Sequence, residues 1–284
     1  MPAATGVRPR PAPAPAAGPA GRTAPAAPAA YDAQDASRWF RRHGRGPAPR
    51  IRLVCFPHAG GAASLYRDWP DLLPAGIEVL AARYPGRQDR FHEPCVETMA
   101  ELADRITAAL RPYLGTPLAL FGHSLGSDVA FEVARRLETR HGAGVERIFV
   151  SGAAAAHVGD PVDLGGYTDA QLVAEMDRLA SPGTGIMADP ELAALLLPSL
   201  RADYRLSAAY RPTLAELGTV SAPLTAFIGD DDPLLPPSDA LSWAQLTTGG
   251  FTHRVLPGGH FYLEEPQQRA ALLRQITAAL LPAA

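Results

Sequence analysis

The pentapeptide Gly122-His123-Ser124-Leu125-Gly126 sets a serine between two glycines at the end of an apolar run, 117–122. A serine hydroxyl is a poor nucleophile until a base takes its proton. The pattern G-x-S-x-G is a weak signal alone, and its flanks strengthen it. The apolar run leads directly into it, and 124–140 leaves it with apolar residues at three- and four-residue steps. That context predicts a tight strand-to-helix turn that strains the serine backbone and lifts its hydroxyl above a sheet. The turn also sets a helix N-terminus beside the oxygen on which negative charge would develop. Both glycines are expected where strand and helix backbones come too close for side chains.

Such a serine needs a base and an acid, and this kind of turn orders them serine, acid, histidine along the chain. "LPGGHFYLEEP" supplies His260 after the last strand-like run, with glycines that let the loop reach back. His253 lies within that run and is the weaker candidate. "AFIGDDDPLLPP" offers Asp230, Asp231 and Asp232. Asp232 is preferred, because Pro233 holds it extended and its spacing from Gly229 suits the turn. Asp160 is a distant alternative, and the other two acids are expected to cap the turn or face solvent. The acid orients the imidazole and stabilises its protonated form. "CFPHAGGAAS" is the expected oxyanion loop, with the Ala59 N–H paired with that of Leu125. His58 is read as positioning that loop, not as a base.

These residues need elements to hold them. Runs 51–56, 77–84, 117–122, 145–152, 223–229 and 252–258 are short, apolar and bounded by Gly or Pro, and read as strands. Helical patterns at 96–114, 124–140 and the C-terminal end alternate with them. The alternation predicts an α/β fold, a mostly parallel sheet with helices on both faces. It breaks at 153–212, where helical patterns opened by Thr168 suggest either an inserted lid or a plain pair of crossover helices.

Residues 1–30 hold 8 Pro and 12 Ala, too little to build a core, and are expected to be disordered. The expected division is a tail and linker over 1–45, then one domain over 46–284. Trp39 and Phe40 either dock on that domain or are incidental. Formal net charge is -3, so nothing global suggests nucleic acid, although residues 1–50 carry eight Arg against two Asp. Cys55 reads as a small core hydrophobe, and neither it nor Cys95 has metal or disulfide spacing. No stretch of about 18 apolar residues suggests a membrane span, and no apolar leader is evident. A cytoplasmic, monomeric protein without metal or cofactor is expected.

"FPHAGG", "YPGRQDR", "GHSLG", "GDDDP" and "GGHFYL", in this order and spacing, resemble the type II thioesterases of polyketide and nonribosomal peptide assembly lines. The resemblance covers about residues 50–282. It implies the α/β-hydrolase fold with a helical lid. It also implies Ser124, Asp232 and His260 as catalytic residues, and hydrolysis of acyl groups from the phosphopantetheine arm of an acyl or peptidyl carrier protein. Thioester chemistry agrees, because a thiol of pKa about 8.5 leaves more readily than an alcohol. An esterase, lipase or acyltransferase on the same fold, or a silent carrier-binding module, are the alternatives. Arg83, Arg87 and Arg90 either flank the entrance for an acidic carrier or pair internally with acids such as Asp89 and Glu93.

Overall fold

The computed structural model describes residues 33–43, 48–158, 164, 166–179 and 189–281. The Pro/Ala-rich stretch expected to be disordered, and Asp160, lie outside them. The chain enters through α1 (Ala33–Trp39) and β1 (Phe40–His43), then β2 (Ile51–Phe56), α2 (Trp69–Leu72) and β3 (Ile77–Ala82). Next come α3 (Met99–Leu110), β4 (Leu118–His123), α4 (Leu125–His141) and β5 (Arg147–Ser151). Three helices follow, α5 (Asp169–Leu179), α6 (Pro190–Ala209) and α7 (Leu214–Leu217). The chain closes with β6 (Leu224–Gly229), β7 (Phe251–Leu256) and α8 (Pro266–Leu280).

The seven strands form one sheet in the order β1-β3-β2-β4-β5-β6-β7. All neighbours are parallel except β1, which runs antiparallel to β3. β4 and β6 are buried at every position, which explains their unbroken apolar runs. On one face, Met99, Leu102 and Ile106 of α3 pack with Val129, Val133 and Leu137 of α4. On the other, Trp69 of α2 and Leu272, Leu273 and Ile276 of α8 cover the sheet. Each side chain of that size stabilises by about 1.5–3 kcal/mol when fully buried.

The connection from β3 to β4 steps across β2, so the winding direction reverses between β2 and β4. Ligand sites of open α/β sheets form outside the carboxyl ends at such a point. The register Phe56↔Gly122 ends both strands level, which puts the loop after β2 beside the turn after β4. Above these ends, Leu172 of α5 and Ala193, Leu197 and Leu200 of α6 form a third apolar cluster against Ala59.

β1 was not among the expected strands. FRRH is short and mostly polar, an edge strand whose buried residue is Phe40. Trp39 and Phe40 are both buried in the main core, and Phe40 sits opposite Ala82. The folded region therefore takes in residues 33–43, which were expected to belong to the tail and linker.

Candidate active site

Ser124 stands between β4 and α4 with φ 52° and ψ −122°. Among the described residues it and Gln88 are the non-glycine residues with positive φ. Such a conformation costs about 1–3 kcal/mol and persists only where its surroundings impose it. Here the Ser124 N–H donates to the Ser151 carbonyl at 2.7 Å. The Ser127 hydroxyl lies 3.0 Å from the Gly122 carbonyl and accepts from the Ser151 N–H at 3.1 Å. A Cβ on Gly122 would overlap the Gly126 carbonyl. One on Gly126 would overlap the Phe56 carbonyl, so the second glycine answers to β2 rather than to β4.

The acid and the imidazole come from the loops after β6 and β7. The Gly258 N–H donates to Asp230 Oδ1 at 2.8 Å, and the Asp231 N–H donates to the Gly258 carbonyl at 3.0 Å. Asp230 thus caps the histidine-bearing loop, and both it and Asp231 are exposed. Asp232 is buried, its Oδ2 2.9 Å from His260 Nδ1 and its Oδ1 accepting from the Leu234 N–H at 2.9 Å. His260 is 2% exposed. His253 sits mid-strand opposite Ala226, apart from these groups.

The His260 ring overhangs the carboxyl end of β5. A Cβ on Gly152 would lie 3.4 Å from His260 Cε1, and Gly152 follows the residue whose carbonyl holds Ser124. Ser124 Oγ makes no hydrogen bond among the described residues. Catalytic contacts are often long without substrate and tighten when it binds.

Sequence reasoning missed a polar chain behind the imidazole. His123 Nδ1 lies 2.9 Å from Ser151 Oγ, which lies 2.6 Å from the Tyr262 hydroxyl, all buried. It links the residue before Ser124 to the residue two beyond His260. The one signal in sequence was a serine closing the apolar run of β5. Burial first, then the charges of His260 and His58, lower the His123 pKa well below the ordinary range. Burial, then His260 and Arg87, lower that of His58 to about 3. A ring with so low a pKa is neutral at working pH but too weakly basic to take a serine proton well; it packs 4.7 Å from that of Phe261.

The Ala59 and Leu125 N–H groups have no hydrogen-bond partner among the described residues. The loop holding Ala59 turns through Gly60 at φ 73°, and the Gly61 N–H donates to the His58 carbonyl at 2.9 Å. A cavity of about 760 Å³ opens beside it, lined by His58, Ala59, Leu192, Leu196, Leu200 and Phe261 among others.

Arg83 and the two arginines of "YPGRQDR" pair internally, as the second alternative expected. Arg83 pairs with Asp89 and donates to the Ser37 carbonyl at 2.7 Å. Arg90 is buried, bound to both oxygens of Glu93 and stacked 4.3 Å from the Trp39 ring centroid. Arg87 is 5% exposed and pairs with Asp203 of α6, an acid 116 residues away that the sequence did not single out. Burial opposes the Arg87 charge, but Asp203 outweighs it and the pKa rises.

The strand order, the strained serine turn and the loops that carry Asp232 and His260 define an α/β hydrolase. The thioesterase domain model matches residues 51–280, and the chain belongs to that family. It is a serine-hydrolase thioesterase, and the resemblance to the type II enzymes holds. It is similar to "Thioesterase PikA5" of Streptomyces venezuelae, 41% identical over 81% of this chain and 82% of that protein. A "Probable cadicidin biosynthesis thioesterase" of Streptomyces griseus is 42% identical over 87% of this chain and 67% of that one. Among solved structures, the type II thioesterase BorB from the borrelidin biosynthetic cluster superposes with a TM-score of 0.77. It is 38% identical, covering 85% of this chain and 97% of that one. No described helix is long and apolar enough to cross a membrane.

Proposed function

We propose that the protein releases acyl groups from the phosphopantetheine arm of an acyl or peptidyl carrier protein, with an editing role in polyketide or nonribosomal peptide assembly. The observation that carries this is the buried His260–Asp232 hydrogen bond at 2.9 Å; a serine strained at φ 52° in the turn after β4 and an apolar cavity beside Ala59 support it. Asp232 takes the Nδ1 proton's hydrogen bond, which leaves His260 Nε2 free to accept from Ser124. The Ser124 oxygen attacks the thioester carbonyl as His260 takes its proton. The tetrahedral oxyanion rests on the Ala59 and Leu125 N–H groups. The carbon–sulfur bond then breaks and His260 returns the proton to the departing pantetheine thiol. A water, deprotonated by the same imidazole, attacks the acyl-serine, and the collapsing intermediate frees the carboxylic acid and Ser124.

The cavity beside Ala59 receives the acyl chain, with the helices of 153–212 acting as a lid over it. Names of the relatives support the assembly-line setting, since one is a probable cadicidin biosynthesis thioesterase and another belongs to a borrelidin biosynthetic cluster. The test is kcat/KM for one acyl group presented three ways: on a carrier protein, on free pantetheine, and as an oxygen ester. The reading expects the carrier-bound thioester to be turned over at least about tenfold faster than either small substrate, which is about 1.4 kcal/mol of transition-state stabilisation. A preference for the oxygen ester would make the protein a small-molecule esterase instead.

A further inference from the structure

We propose that the buried Arg87–Asp203 pair is the positioning device of the oxyanion hole, so that the hole is complete only while α6 is docked. The proposal rests on reading the Ala59 N–H as an oxyanion donor. Asp203 projects from α6 and is 4% exposed. Its Oδ2 accepts from the Gly60 N–H at 2.8 Å and from Arg87 Nη1 at 2.7 Å, and its Oδ1 accepts from Arg87 Nη2 at 2.8 Å. Arg87 Nη1 also donates to the Gly61 carbonyl at 3.0 Å. The acid therefore grips an N–H, and its arginine grips a carbonyl, on adjacent residues of one turn. With the Gly61 N–H bound to the His58 carbonyl, the peptide planes after Ala59 have little freedom left. The Ala59 N–H is thereby aimed without being consumed.

Helix α6 reinforces the grip sterically. Leu200, one turn before Asp203, occupies the space a Gly60 side chain would need, 2.8 Å from the hypothetical Cβ. Gly60 is thus required twice, by its positive φ and by Leu200. A buried ion pair adds little net stability over apolar packing, but parting it leaves an uncompensated charge. If α6 lifted, Arg87 would be stranded and the Gly60 N–H would lose its carboxylate. Leu196 and Leu200 also line the cavity, so an acyl chain seated there would hold α6 down and keep the hole aligned. Cavity occupancy and turnover are then coupled through one carboxylate.

The test combines hydrogen exchange of peptides covering residues 57–62 with kinetics on a small acyl thioester, for wild type, Asp203→Asn and Asp203→Glu. The loop in Asp203→Asn should exchange about tenfold faster or more while β4 and β6 keep their protection. Its kcat should fall roughly 10–100-fold with KM within about twofold, as for a slightly misplaced oxyanion donor. Asp203→Glu should recover part of both. Arg87→Lys, which keeps the charge but loses the two-pronged contact, should show the same pattern more weakly and serves if Asp203→Asn fails to fold. Unchanged exchange at 57–62, or a loosened loop with kcat intact, would overturn the proposal. If wild type hydrolysed neither thioester nor ester, the hydrolase reading would fall, while the exchange result would still judge the clamp.

Discussion

Ser124 holds a backbone conformation that costs it stability, and the hydrogen bonds of Ser127 and Ser151 keep it there. Ser124→Gly should therefore do two things at once. It should abolish turnover, and it should raise Tm by roughly 2–4 °C, the equivalent of about 1 kcal/mol of released strain. Loss of activity with no gain in Tm would mean the elbow stores no strain. Asp232→Asn should lower kcat by about three to four orders of magnitude with the fold intact. The amide would donate to Nδ1 and leave the proton on Nε2, the wrong tautomer for taking one from serine. Steady-state kinetics beside circular dichroism would check it. The serine, acid and histidine of the proposed triad were legible as candidates because each follows an apolar run in the order that chemistry requires. Ser151, Tyr262 and Asp203 were not, because their partners lie far along the chain, 111 residues for the Ser151–Tyr262 contact and 116 for Arg87–Asp203.

At the scale of elements, the six parallel strands were legible within a residue or two, five because a largely buried strand must read as apolar, and the part-exposed edge strand β7 by its Gly and Pro bounds. β1 escaped because an edge strand at the surface carries its arginines outward, where Arg42 pairs with Glu78 and Arg41 lies 2.9 Å from Asp89. Its anchor is Trp39, packed under Arg90. Trp39→Ala should destabilise by about 3 kcal/mol, measured by urea unfolding, and leave the pH dependence of kcat unchanged. A near-neutral result would mean the N-terminal segment is not part of the cooperative unit. On α4, burial raises Asp128 to about 7, opposed by Arg211. A carboxyl raised in the fold is tolerated below its unfolded pKa and costs stability as pH climbs from about 4 through about 7. Asp128→Asn should accordingly raise Tm at pH 8 by roughly 2–4 °C and change it little at pH 4. Equal shifts at both pH values would contradict that.

Across the whole molecule, the site is a product of winding order. The loops after β2, β4, β5, β6 and β7 supply Ala59, Ser124, Gly152, Asp232 and His260, and the reversal between β2 and β4 brings the first two side by side. The helices between β5 and β6 then close over that end, with α6 touching the loop after β2. The sequence told where the helical segment interrupts the alternation, because helical periodicity replaces strand runs there. It did not tell that this segment reaches back to Gly60, since nothing local in α6 marks Asp203 as anything but a surface acid. The groups proposed as catalytic, spread from Ala59 to His260, share one end of the sheet only in the folded state.

The central claim is that Ser124 carries the acyl group during turnover. Rapid quenching of the protein with an acyl-phosphopantetheinyl carrier, followed by peptide mass mapping, tests it directly. A transient acyl adduct is expected on the peptide containing Ser124, and neither adduct nor hydrolysis in Ser124→Ala. Hydrolysis by Ser124→Ala at the wild-type rate, or an adduct on another residue, would contradict it.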